Sequence, residues 1–314
     1  LKIKNMTLKQ LRYLLSIVEY GSMLKASRAL NVTQPTLSAM LRNLEAELEV
    51  SIFERSSQNL QLTQIGKCVV DQAKVVLSTA ENLKELVHEK RNLIGGRLKL
   101  GVIPSVAASF VPDFIHDFHF THKDVELSVS EMKTSDIIEA LDKSVIDMAV
   151  LATPLERNNL LEIPLYYERF WAYVSPELKE VYGKETLTAA DLPMESLWVL
   201  SEGHCLTKQI FNFCGEQNKA KRIYTAGNIA TLVRTVDKVG GCTVIPAMDI
   251  EMLSEEQKKN IRPIENPVAV REISLVVKED FVRERLLNDV VNSIKKFVPS
   301  DMIDERLKKY AVRL

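Results

Sequence analysis

From Thr7 the apolar residues Leu8, Leu11, Leu14, Leu15 and Val18 recur at helical spacing until Gly21 interrupts them, which predicts a first helix ending there. Ser22 caps a second, short helix through Leu30 with Ala26, Ala29 and Leu30 turned inward, and Asn31-Val32 forms a tight turn. A third helix follows Thr33. Pro35 stands in its first turn, where a missing N–H costs nothing, and Leu37, Leu41, Leu44 and Leu48 line one face. Three helices with a tight turn between the last two predict a helix-turn-helix. The segment SIFERSSQNLQLT then alternates apolar and polar residues around a polar tip at Ser56 to Asn59, the pattern of a two-stranded wing.

No Gly or Pro interrupts the chain between Gly66 and Arg91, and Val69, Ala73, Val76, Ala80, Leu83 and Val87 repeat at spacings of 4, 3, 4, 3, 4. That is a heptad seam, which predicts a linker helix that dimerises; the same stripe also fits packing on the chain's own core. Gly95-Gly96 marks a domain boundary. Strands then alternate with helices: LKLGVI, a helix near Val111 to Phe118, VELSVSEM, a helix from Thr134 to Leu141, and IDMAVLA, a βαβαβ unit with a parallel sheet. A second series follows, with strands in LYYERFWAYVS, LWVLS, RIYTA, GCTVIPA and REISLVV, helices after His204 and over Asn228 to Val239, and a closing helix from Asp280 to Phe297. Two α/β lobes with a cleft between them account for this pattern. The predicted divisions are 6–65, 66–94 and 95–314, with lobe I over about 97–168 plus 274–300 and lobe II over about 169–273.

The 314 residues are 46% hydrophobic and 26% charged, with 11 Gly and 11 Pro, which excludes collagen, low complexity and wholesale disorder. There is no membrane-length apolar run and no signal-peptide core, so the chain reads as soluble and cytoplasmic, with no membrane partner. Met6 is the first methionine, so Leu1 to Asn5 read as an added remnant. With 41 basic against 42 acidic side chains, nucleic-acid binding has to come from a local surface. Residues 1–65 supply one: eight Lys/Arg against five Glu. Within it, Gln34, Pro35, Thr36, Ser38 and Arg42 at the start of the third helix, with Arg55 in the wing, suit a major groove and its phosphates. A solvated, capped helix start is the plainer alternative.

The run ALNVTQPTLSAMLRNLEAELEVSIFER resembles the winged helix-turn-helix of LysR-type transcriptional regulators, and the likeness continues through the linker helix and both lobes. The resemblance implies an α/β chain with an N-terminal winged helix-turn-helix and linker helix, then two lobes of the periplasmic-binding-protein type forming a regulatory domain. It implies a homo-oligomer, typically a dimer of dimers, acting on promoter DNA with RNA polymerase. DNA contacts would come from Gln34, Pro35, Thr36, Ser38 and Arg55.

Cys205, if it heads a helix beside His204, is placed for thiolate chemistry. Cys214 lies nine residues on, about 13.5 Å along a helix, where a disulfide cannot form without unwinding. On spacing alone, two cysteines packed as small hydrophobes fit equally well. The pattern Gly203-His204-Cys205-Leu206, Gln209, Cys214 resembles the redox centre of the peroxide-sensing members of the same family. That resemblance implies Cys205 as the peroxidatic and Cys214 as the resolving thiol, hydrogen peroxide as the signal, and a cellular disulfide reductant as partner. It also implies a peroxide pocket containing His204, Ser105, Thr134 and Arg271. Thr207-Lys208 departs from the Arg-Asp expected there, and Ser105 stands for an expected Thr; the first departure bears on how the loop is anchored and how the thiolate is charge-stabilised. The alternatives are a LysR-type regulator with an organic effector in the cleft and a thiol peroxidase; the latter leaves the DNA-binding module unexplained. Cys68 and Cys242 read as structural, and His116, His119 and His122 as solvated. No phosphate loop, nucleophile elbow or metal-ligand spacing occurs, so no enzyme, cofactor or metal is expected.

Overall fold

The computed structural model describes residues 6–54, 60–90, 95–200, 205–214, 222–224, 228–265 and 268–303, with the backbone alone at 88–90, 205, 208, 211, 213, 214 and 222–224. The chain divides near residue 92 into two compact units.

In the first unit, α1 (Leu8–Tyr20) begins on a capping box: the Gln10 N–H donates to Thr7 Oγ1 and the Thr7 N–H to Gln10 Oε1. It ends at Gly21, whose φ of 57° is the left-handed cap glycine adopts at no steric cost. Ser22 caps α2 (Met23–Ala29), and Thr33 caps α3 (Gln34–Leu48). Leu11, Leu14, Ile17, Ala26, Leu37, Leu41 and Leu44 form their common core. Ala29 is exposed, against expectation. Ser27 takes the inward place beside Ala26, its hydroxyl satisfied by the Leu24 carbonyl at 2.9 Å. Glu45 Oε1 accepts the Ile52 N–H at 2.7 Å, and Phe53 forms an antiparallel bridge with Leu62 at the base of the wing. The wing tip lies outside the described residues.

The linker helix α4 (Gln64–Lys90) starts against the wing, where a Cβ on Gly66 would overlap the Ile52 carbonyl. The heptad stripe divides into two halves. Val70 and Ala73 are buried in the helix-turn-helix core, and Val69, Val76 and Leu77 pack against it, whereas Leu83 (67% exposed), Leu86 and Val87 face solvent.

The second unit opens with β1 (Gly96–Val102), α5 (Pro104–Thr121), β2 (Val125–Glu131), α6 (Thr134–Asp142) and β3 (Met148–Thr153). It continues through β4 (Leu160–Val174), α7 (Lys179–Tyr182), β5 (Trp198–Leu200), α8 (Cys205–Cys214), β6 (Arg222–Tyr224), α9 (Ile229–Val239) and β7 (Cys242–Pro246). A 3-10 turn (Ala247–Met252), α10 (Glu255–Lys258), β8 (Ile261–Pro263), β9 (Val270–Lys278) and α11 (Glu284–Lys295) complete it. Strands β1, β2 and β3 run parallel as the βαβαβ pattern predicts. Helix α5 starts at Pro104, well before the expected start near Val111. Pro112 interrupts only its exposed side, because Phe110, Phe114 and Phe118 recur every fourth residue and anchor both halves in the core.

The alternation of strands and helices did not reveal how the two series join. The strand order is β2-β1-β3-β9-β4-β7, with β8 also on β4, and β9 runs antiparallel to both β3 and β4. One hydrophobic core holds Leu100, Phe110, Phe114, Tyr166 and Ile273; a second holds Phe170, Tyr173, Leu206, Val236 and Val244. Between Tyr166 and Phe170 the long strands pass from one core to the other. There Glu168 lies directly opposite Arg271 in the antiparallel register.

Candidate functional site

At the start of α3, Gln34, Pro35, Thr36 and Arg42 are exposed and Ser38 is half-buried. The Thr36 hydroxyl lies 2.8 Å from that of its cap, Thr33, so this end is a preorganised array of polar groups. Lys25 and Arg28 are exposed on α2, and Arg55 lies outside the described residues. An exposed helix start with short polar side chains and nearby cations is what groove recognition requires.

Cys205 and Cys214 are the first and last residues of the ten-residue α8. Its rise separates their Cα positions by about 13.5 Å along the axis, beyond the roughly 7 Å a disulfide spans. Leu206 and Ile210 hold the helix in the second core. The Thr207 hydroxyl donates to the Leu200 carbonyl at 3.0 Å and ties the helix start to the end of β5. Anchoring at the departing Thr207 is thereby accounted for by a neutral hydrogen bond. One turn past Cys205, Gln209 is wholly buried, and neither its amide oxygen nor its nitrogen has a hydrogen-bond partner among the described residues. His204 lies outside the described residues, as do the side chains of Cys205 and Cys214.

Ser105 and Arg271 come together. Arg271 is fully buried; it donates through Nη1 to Ser105 Oγ at 2.8 Å, through Nη2 to the Ser105 carbonyl at 2.9 Å, and through Nε to Glu168 Oε2 at 2.8 Å. Because Ser105 Oγ accepts from Arg271, its own proton is left to donate, and no acceptor for it occurs among the described residues. Thr134 is not bonded to this pair. Its hydroxyl, at the start of α6, is buried and has no hydrogen-bond partner among the described residues. Ser105 and Thr134 nonetheless share an edge, since α5 and α6 follow the carboxyl ends of the adjacent parallel strands β1 and β2.

Sequence reasoning missed three residues of this cluster. Glu168 accepts from Arg271 and, through Oε1, from the Met248 N–H at 2.9 Å. Asp249, next in the chain, is buried, and its Oδ2 has no hydrogen-bond partner among the described residues. Burial, reinforced by the Glu168 charge and opposed by Arg271, pushes its carboxyl up to about 7. Burial likewise holds the unpartnered Tyr166 hydroxyl well above its ordinary range. The available signal was a charged pair, Glu168-Arg169, inside the apolar run of β4.

Elsewhere, Cys242 is buried, but Cys68 is exposed, contrary to the burial expected of a structural cysteine, because Val70 and Ala73 occupy the inward face of α4. His116 and His119 are exposed. His122 is not simply solvated: its Nε2 lies 3.0 Å from Asp289 and its ring stacks on Phe118. No helix among the described residues is long and apolar enough to cross a membrane.

Two family models match the chain: the bacterial regulatory helix-turn-helix protein, lysR family, over residues 8–67, and the LysR substrate binding domain over residues 91–298. The chain belongs to the LysR family of bacterial regulators. It is 31% identical over 280 residues to the DNA-binding transcriptional dual regulator OxyR of Escherichia coli K12, an alignment covering 87% of this chain and 90% of that protein. Among solved structures it is similar to full-length OxyR of Pseudomonas aeruginosa carrying a cysteine-to-aspartate substitution, at TM-score 0.75 and 26% identity over 93% of this chain and 98% of that one. It is also similar to a hydrogen-peroxide-bound cysteine-to-serine mutant of Corynebacterium glutamicum OxyR, at TM-score 0.60 and 27% identity over 94% of each chain.

Proposed function

We propose that this regulator senses hydrogen peroxide through Cys205 and Cys214 and activates oxidative-stress promoters. The observation that carries the reading is that the two cysteines begin and end one helix, so that bonding them must rebuild it. A thiolate at Cys205 attacks one peroxide oxygen: the S–O bond forms, the O–O bond breaks, and the departing hydroxide takes a proton to leave as water. Cys214 then attacks the sulfenic sulfur; the S–S bond forms and a second water leaves. Two thiols and one peroxide give one disulfide and two waters. A dithiol reductant in the cell resets the switch.

Ser105 and Thr134 supply the hydroxyls that orient peroxide and protonate its leaving oxygen, Arg271 directs the Ser105 hydroxyl, and His204 flanks the thiol. The unpartnered amide of Gln209 and hydroxyl of Thr134 support this role, since unmet buried polar atoms are what a small polar ligand satisfies. Thiol-resolved mass spectrometry before and after one equivalent of peroxide tests the reading: a single Cys205–Cys214 disulfide is expected, and two intact thiols would sink it.

Residues 6–65 read promoter DNA, 66–94 assemble the dimer within a dimer of dimers, and 95–314 sense and signal to RNA polymerase. Gln34, Pro35, Thr36, Ser38, Arg42 and Arg55 form the DNA contacts in this reading. Gln34→Ala is expected to weaken operator binding by about 1–3 kcal/mol while sparing random DNA, as measured by titration at fixed salt. Equal losses on both would make Gln34 a backbone contact.

The exposed half of the α4 stripe, Leu83, Leu86 and Val87, supports a seam there. Leu83→Asp would bury an unpaired carboxylate in a dimer, raising the dissociation constant roughly a hundredfold or more for a penalty of about 3 kcal/mol. Light scattering at micromolar concentration should find monomer. An unchanged mass would place the dimer contact elsewhere.

A further inference from the structure

The Arg271 cluster sets two buried carboxyls, Glu168 and Asp249, around one buried guanidinium. Glu168 already takes Nε and Nη2 of Arg271, with Nη2 at 2.7 Å, and uses its other oxygen on the Met248 N–H. That last bond fixes the backbone immediately before Asp249, so the second carboxyl is tethered one residue from the first. Groups facing Asp249 are Glu168 and Tyr166 from β4, Arg271 from β9 and the exposed Arg234 from α9; α10 contributes the neutral Gln257. Asp249, Arg234 and Gln257 also line a cavity of about 140 Å³ between α9 and the 3-10 turn.

We infer that Asp249 is a positioning residue that makes the hold of Arg271 on Ser105 proton-dependent. Protonated, Asp249 leaves the guanidinium to Glu168 and Ser105. Ionised, it is a second carboxylate beside a single fully buried cation, it repels Glu168, and it draws the guanidinium toward itself and away from the start of α5. The device sits where β4 and β9 pass between the two cores, so a shift of Arg271 is felt by Ser105 on one side and by the turn after β7 on the other. Its consequence for Cys205 rests on the peroxide-sensing reading; the latch itself does not.

The sign of the pH effect follows from linkage. A carboxyl held at about 7 when folded, against an ordinary value near 4 when unfolded, contributes stability that is fully present below about pH 4 and is lost as pH rises through about 7. The test compares the full, reduced chain with Asp249→Asn, which keeps the side chain's shape. From pH 5 to 8 the melting temperature of the parent should fall relative to the variant, and the gap should level off above pH 8. Hydrogen exchange across residues 103–107, compared at matched pH, should show parent protection dropping severalfold below that of the variant over the same interval. The ratio of parent to variant rate constants for oxidation by peroxide should fall at least twofold between pH 6 and 8. Parallel melting curves, or a stability gap with unchanged exchange at the start of α5, would overturn the inference. A parent protein inert to peroxide would remove the sensing reading, while melting and exchange still decide the latch. Should Asp249→Asn fold poorly, Asp249→Ala provides the same comparison.

Discussion

Cys205→Ser is expected to be blind to stoichiometric peroxide, while Cys214→Ser oxidises as fast as the parent and then stops short of a disulfide. The asymmetry comes from α8. Cys205 stands at its first position, the positive pole of the helix, and Cys214 at its last, the negative pole. The thiolate is the nucleophile, and the positive pole of a helix favours the thiolate at its first residue while the negative pole disfavours it at the last. On the peroxide-sensing proposal, the hydroxyls of Ser105 and Thr134 would add to the difference by protonating the leaving oxygen. In Cys214→Ser the sulfenic acid has no resolving partner, so it persists and drifts to the irreversible sulfinic and sulfonic forms. In the parent, closure must wait for α8 to open, because about 13.5 Å of helix separates the two positions and Leu206, Ile210 and the Thr207 hydrogen bond hold it shut. Sulfenic acid at Cys205 should therefore precede the disulfide, and amide protection over 205–214 should fall only with the second step. Rapid-quench trapping followed by hydrogen exchange measures both. Sulfenic acid appearing first at Cys214, or protection unchanged on closure, would falsify the assignment.

The parts of the site that were legible in the sequence are the local ones. A helix start carries its own signature in Thr33-Gln34-Pro35-Thr36, and the helix expected after His204 already sets Cys205 and Cys214 on one element. Glu168 and Arg271 were harder, because 103 residues separate them and only the register of β4 on β9 sets them opposite one another. Arg271 is implied by the resemblance, whereas Glu168 stands beside Arg169 in an otherwise apolar run, with nothing local to link it to a site. Asp249 was invisible for a different reason: its environment is made by Met248 binding Glu168, a backbone contact that no side-chain pattern encodes. The α4 stripe shows the limit from the other direction. Its periodicity is uniform along the helix, yet Ala73 is covered by the chain itself while Leu83 and Val87 are not, a distinction that the spacing within α4 does not carry.

Arg271→Met should lower the stability of the regulatory unit by about 3–5 kcal/mol, the range for removing one partner of a buried ion pair, and its melting temperature by on the order of 10 °C. Both partners are essentially without solvent contact, at 0% and 1% exposure, so water cannot take over the role of the lost guanidinium. Glu168 would keep only the Met248 N–H, with Asp249 beside it as a second acid, and the Ser105 carbonyl and hydroxyl would lose their donors together. An exposed pair would behave differently, losing less than about 1 kcal/mol. Arg271→Lys should recover only part of the loss, because one ammonium cannot reach Glu168 and Ser105 with the geometry of the planar fork. Adding Glu168→Gln to Arg271→Met should restore most of the stability by removing the stranded charge, and it separates the pair's energetics from its effect on Ser105. The stability regained in that double variant should leave oxidation of Cys205 slow, since Ser105 still lacks the donor that directs its proton. A double variant as unstable as Arg271→Met alone would show that packing around the guanidinium, rather than its charge, holds the two long strands at their crossing.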